Sequence, residues 1–111
     1  MRGKIWAIDF DGTLNTYNFP YAGEPIKENI AFVKKLREDG NKVILWTCRT
    51  GESLDYAVKW CTEQGLEFDA INENLPEVLE LFGRIDSRKI KADYYMDDLA
   101  FNPFWKEAGL K

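Results

Sequence analysis

Three short stretches of this chain carry residue types able to do chemistry: Asp9-Phe10-Asp11-Gly12-Thr13, Thr47-Cys48-Arg49-Thr50-Gly51 and Asp97-Asp98. Asp9 and Asp11 are two residues apart, so in an extended segment both side chains point the same way and can face one reacting centre. A carboxylate there can attack phosphorus and form an aspartyl phosphate. A second carboxylate beside it can protonate the leaving oxygen and then activate water. Gly12 lets the chain turn sharply after the pair.

Four aspartates gathered at one place repel each other, so a cation must offset them. Oxygen-only donors suit a hard ion, and Mg²⁺ is the common choice where phosphate is handled. A lysine, Lys89 or Lys91, would neutralise more of the charge and could hold a phosphate oxygen. Thr47 offers a hydroxyl, and the backbone N–H groups of the stretch through Cys48 and Arg49 open toward a helix start, a natural seat for an anion. Arg49 reads either as a phosphate contact or as a loop cation in a surface salt bridge. Asn15, next to the first stretch, is a candidate to reach the substrate.

These stretches converge only if the chain between them folds as a parallel sheet. Lys4 to Ile8, Lys42 to Trp46, Phe68 to Ile71 and Ala92 to Met96 read as strands. Ile26, Ile30, Val33 and Leu36 share a helical face that stops at Gly40, and Leu54, Ala57, Val58 and Cys61 share another that stops at Gly65. Pro76 opens a third helix carrying Val78, Leu79 and Phe82. Residues 15–25, with Pro20, Gly23 and Pro25, read as a loop or small hairpin flap, and the tail from Pro103 as one or two helical turns. Strands alternating with helices imply an α/β fold with a parallel sheet, whose ligands sit at the carboxyl ends of the strands. The chemical residues lie just after the first, second and fourth strands.

Composition narrows the function further. At 111 residues the chain suits one domain, residues 1–111, and 45% apolar content suffices for one core. A formal charge of −4 argues against nucleic acid bound through a broad basic face. No run approaches the length of a membrane-spanning helix, and the start of the chain lacks the shape of a secretory signal, so a cytoplasmic protein is the expectation. With no histidine, His-assisted triads and most zinc sites are excluded. Cys48 and Cys61 lack paired metal spacing and read as reduced thiols, one on the buried face of a helix.

Asp9-Phe10-Asp11-Gly12-Thr13-Leu14 after an apolar strand resembles the first motif of the haloacid-dehalogenase-like (HAD) phosphatases. Thr47 after Val43-Ile44-Leu45-Trp46 is similar to that superfamily's second motif, Lys89 or Lys91 to its third, and Asp97-Asp98 after Met96 to its fourth. The resemblance spans residues 4–98. It implies a three-layer α/β/α Rossmann-like arrangement with strand order 4-1-2-3. It implies Asp9 as nucleophile and Mg²⁺ ligand, and Asp11 as general acid and base that also lends the metal its backbone carbonyl. Thr47 would hydrogen-bond the phosphoryl group, and Asp97 and Asp98 would complete the metal site. Lys89 is favoured over Lys91 because relatives carry lysine three residues before the alanine of the final strand.

The gaps at residues 15–25 and 72–91 have no room for a cap domain, so the site is expected to be open. Tyr17, Phe19 and Tyr21 of the flap, or Phe101, Phe104 and Trp105 of the tail, could wall it, as could a neighbouring copy in a homo-oligomer. A small phosphorylated metabolite or nucleotide is the favoured substrate. The alternatives are a phosphoryl-accepting domain of the response-regulator type or a silent metal-binding domain. The former places its acceptor aspartate after a central strand, with threonine and lysine on later ones, unlike the order here. A cysteine phosphatase is excluded, because the position six residues after Cys48 is Leu54 and not arginine.

Overall fold

The computed structural model describes residues 3–99, so the tail with Pro103, Phe101, Phe104 and Trp105 lies outside the described residues. Four strands form: β1 (Ile5–Ile8), β2 (Lys42–Leu45), β3 (Ala70–Ile71) and β4 (Tyr94–Met96). Three helices connect them: α1 (Lys27–Glu38), α2 (Gly51–Glu63) and α3 (Pro76–Leu81). Every strand pairing is parallel, in the order β3-β2-β1-β4. This is the expected order read from the opposite edge.

The third and fourth strands are shorter than the sequence pattern suggests, and aspartates explain why. Asp69 and Asp93 each immediately precede a strand. The Asp69 carboxylate accepts the Val43 N–H at 2.8 Å, and the Asp93 carboxylate accepts the Ile5 N–H at 2.7 Å. Each aspartate side chain thus takes one N–H of the neighbouring strand, while its own N–H still donates to that strand's backbone, at the Val43 carbonyl (2.8 Å) and the Ile5 carbonyl (2.7 Å).

Side chains alternate across the sheet, as extended chains require. Ile8, Val43 and Leu45 pack on one face with Ile30, Val33 and Leu36 of α1 and Ala57 and Cys61 of α2. Ala7, Ile44 and Ala70 pack on the other with Leu75, Val78 and Ile90. Glu28 in the first turn of α1 and Lys35 and Arg37 in its last turn complement the helix dipole. Gly40, at φ +92°, supplies the left-handed turn that follows. The buried Cys61 thiol is pushed up to about 12 by loss of solvent, so it is inert as a nucleophile.

The segment between β1 and α1 forms the expected flap, and one buried residue holds it. Asn15 is 0% exposed. Its Oδ1 accepts the N–H of Tyr17 at 2.8 Å and of Gly23 at 2.9 Å, and its Nδ2 donates to the Phe10 carbonyl at 3.2 Å. Asn15 therefore faces the protein and does not reach for substrate, which corrects the sequence-based expectation. Its amide satisfies backbone groups that the two-armed flap leaves unpaired.

Asn15→Ala strands two amides and should cost about 1–3 kcal/mol. Amide exchange at Tyr17 and Gly23 should accelerate while the amides of β1 and β2 stay protected. Unchanged exchange at both flap amides would contradict this role.

Candidate functional site

The carboxyl ends of β1 and β4 lie side by side, tied by the Asp9 N–H donating to the Met96 carbonyl at 2.9 Å. That register sets Asp9 against Asp97 and Asp98. One carboxylate oxygen from each of the three lies within 4.8 Å of the others. The Asp97–Asp98 turn is docked on the first stretch by two devices. The Asp98 N–H donates to the Thr13 hydroxyl at 3.1 Å. Gly12, at φ +81°, leaves space for the Asp98 carboxylate, since a Cβ there would sit 2.1 Å from Asp98 Oδ2. The Gly-Thr pair after the two aspartates thus serves the approach of a second acidic segment.

Such crowding is visible in the protonation equilibria. Asp9 is raised from 3.8 to about 7, first by loss of hydration and then by the charges of Asp97, Asp98 and Asp11, against an opposing hydrogen bond from the Phe10 backbone. Asp98 is also pushed up, by partial loss of hydration and by its hydrogen bond and proximity to Asp97. Three oxygen donors converging at this distance, with charges that resist one another, fit a hard divalent cation. Nothing in the donor set distinguishes Mg²⁺ from its neighbours in that class.

Arg49 departs from both sequence-based readings. It is neither a surface cation nor a substrate contact: the residue is 2% exposed and all five N–H groups are engaged within the protein. Nε and Nη2 grip the two Asp11 oxygens at 2.9 and 2.8 Å. The remaining donors bind the carbonyls of Pro20 at 2.8 Å, Ser53 at 3.1 Å and Tyr21 at 3.0 Å. The guanidinium lies between the rings of Phe10 and Phe19, 4.8 and 4.9 Å from their centroids. Arg49 therefore locks Asp11, the flap and the start of α2 into one unit. A buried, two-pronged pair of this kind orients a carboxylate far better than an exposed one.

Thr47 follows β2 as expected and is oriented by a residue the sequence reading missed. Asn72, just after β3, accepts the Thr47 N–H at 2.8 Å through Oδ1 and donates to the Arg49 carbonyl at 3.3 Å through Nδ2. The signal was available: the same strand-end rule that singles out Asp9, Thr47 and Asp97 also singles out position 72.

Around these groups the surface is hollow. A cavity of about 410 Å³ is lined by Asp9, Asp11, Thr47, Cys48, Asp98 and the flap residues Tyr17 and Phe19, among others. A smaller hollow of about 220 Å³ joins Asp9, Trp46, Thr47, Cys48 and Asp97. Cys48, exposed, belongs to both walls.

Of the two lysines, neither touches the carboxylates. Lys91 lines a groove with Gly3, Lys42 and Asp93, at the amino ends of the strands, and is too remote for the site. The Lys89 ammonium lies 5.6 Å from the centroid of the Tyr95 ring, which packs at a tilt against Trp46. Lys89 is thus on the site's flank beside an aromatic face, and no acidic group pairs with it among the described residues.

No family model matches the chain, and no curated protein matches it. Among solved structures, a conserved protein coded by a locus from Bacteroides thetaiotaomicron is similar, with 40% sequence identity and a TM-score of 0.78. The similarity covers 89% of this chain and 78% of that one. At that identity and coverage, the chain belongs to the same family as this conserved Bacteroides protein.

Proposed function

We propose that this protein is a Mg²⁺-dependent phosphomonoester hydrolase of the HAD-like type, a capless three-layer α/β/α domain working through an aspartyl phosphate. The observation that carries the reading is the convergence of Asp9, Asp97 and Asp98 at adjacent strand ends, with Asp11 and Thr47 lining the same cavity system. Helices on both faces of the sheet, and a flap where a cap would be inserted, support the architecture.

Asp9, Asp97 and Asp98, with the Asp11 backbone carbonyl, would hold the cation, which when bound neutralises the carboxylates and the phosphoryl oxygens. An Asp9 carboxylate oxygen attacks phosphorus as the ester P–O bond breaks. Asp11 delivers a proton to the departing oxygen. A water then attacks phosphorus, giving its proton to Asp11, and the bond from phosphorus to Asp9 breaks to release phosphate, which leaves Asp9 a carboxylate and Asp11 protonated as it was before the first step. Arg49 keeps Asp11 aimed through both steps, and Thr47 donates its hydroxyl to the phosphoryl group. Lys89 can steady the charge shared by Asp9 and phosphate by leaving the Tyr95 ring, since its stem is long and exposed.

Release of phosphate from para-nitrophenyl phosphate tests the reading. Turnover should need Mg²⁺, vanish with EDTA and return when Mg²⁺ is restored. Full activity without metal would contradict it. Asp9→Asn should lower turnover on the order of 10⁴-fold or more.

The same variant has a second readout. Native Asp9 keeps its proton up to about pH 7, whereas the unfolded chain loses it near 3.8. Between these values the native state binds more protons, so the Asp9 contribution to stability falls as pH rises. Asp9→Asn removes that loss and should raise the melting temperature of the metal-free protein at pH 8 more than at pH 4. An equal shift at both values would contradict the crowding of Asp9.

A further inference from the structure

The cavity in front of Asp9 has a mixed lining. Asp9, Asp11, Asp98 and Thr47 share it with Tyr17 and Phe19 from the flap, and Phe19 lies against the guanidinium that holds Asp11. Among the described residues lining it, the only cation is Arg49, and its five donors are already taken by Asp11 and three backbone carbonyls. A second anionic group on the substrate would meet carboxylates, and no positive partner is free among the described residues that line the cavity.

The flap residues offer π surface instead. Tyr17 is 62% exposed and Phe19 51%, although both are large aromatics. Tyr17 is also held at φ +79°, a conformation non-glycine residues rarely adopt, and the buried Asn15 fixes it there. An exposed aromatic kept in a strained backbone at a cavity wall is the kind of outlier that accompanies ligand contact. Phe19 presents one face to the Arg49 guanidinium, which stiffens the ring through a cation–π contact. The cavity, about 410 Å³, has the volume of a small-ligand site.

We infer that the substrates of this site are phosphomonoesters whose leaving group is flat, aromatic or heteroaromatic, and uncharged, stacking on Tyr17 and Phe19. This rests on the phosphatase reading and deepens it. It disfavours sugar bisphosphates, nucleoside diphosphates and phosphorylated carboxylic acids, and retains phosphorylated aryl and heteroaryl alcohols.

Three esters of matched leaving-group chemistry test it: benzyl, cyclohexylmethyl and 4-carboxybenzyl phosphate, with acetyl phosphate as a small activated control. The wild-type enzyme with Mg²⁺ should favour benzyl phosphate in kcat/KM over each of the other two esters, about tenfold against the carboxylate. Tyr17→Ala should raise KM for benzyl phosphate about fivefold, the scale of one lost aromatic contact, with kcat changed much less, and should erase the preference over the cyclohexylmethyl ester. Tyr17→Phe should retain that preference, which guards against a flap that merely misfolds. Equal kcat/KM for the three esters, a preference for the carboxylate, or a preference that survives Tyr17→Ala would overturn the inference and leave the phosphatase reading intact. Turnover of none of the four would overturn both.

Discussion

Mutual repulsion among carboxylates is the constraint around which this structure is organised. Asp9, Asp97 and Asp98 come within 4.8 Å at the ends of two neighbouring parallel strands. No folding force favours such a cluster by itself. It persists because the β1–β4 register, the Gly12 cradle and the Thr13 hydroxyl hold the two segments together. Loss of hydration first, and the neighbouring charges of Asp97, Asp98 and Asp11 with it, push the Asp9 carboxyl up to about 7. A divalent cation would relieve the repulsion, and in the proposed mechanism a phosphoryl group attached to Asp9 would share the same relief. Cation affinity and phosphoryl chemistry would then be two consequences of one electrostatic arrangement.

Around the acidic centre, buried amides and a guanidinium do the positioning. Arg49 binds Asp11 and three carbonyls from the flap and α2, Asn15 ties both arms of the flap, and Asn72 braces the loop carrying Thr47. Among the described residues, no buried side-chain nitrogen or oxygen lacks a partner. Such saturation makes the site rigid. It also leaves Arg49 without a donor to spare, so in the proposed reaction the flap aromatics would supply contact beyond the phosphoryl group.

Much of this was legible in the sequence. Apolar runs of strand length alternating with helical stripes set the parallel α/β sheet, and the rule that ligands sit at strand ends led directly to Asp9, Thr47, Asp97 and Asp98. The readings that fell short concern polar side chains near the site. Asn15 and Arg49 looked available to substrate because their types suit it. Whether a polar group is spent internally depends on carbonyls from distant segments, such as Pro20 and Ser53, and local pattern does not reveal those. Lys89 and Lys91 differ by two positions yet have different surroundings, the Tyr95 ring for one and the groove at the amino ends of the strands for the other, and the loop from α3 to β4 has no period from which to read this. Asn72 was missed for want of applying the strand-end rule to a strand only two residues long.

The most direct test is a crystal structure grown with Mg²⁺ and beryllium fluoride, which mimics a phosphoryl group on a carboxylate. The proposed chemistry requires the fluoride adduct on an Asp9 carboxylate oxygen, with Mg²⁺ bound by Asp9, Asp97 and Asp98. An adduct on another residue, or a metal seated away from these three carboxylates, would contradict it.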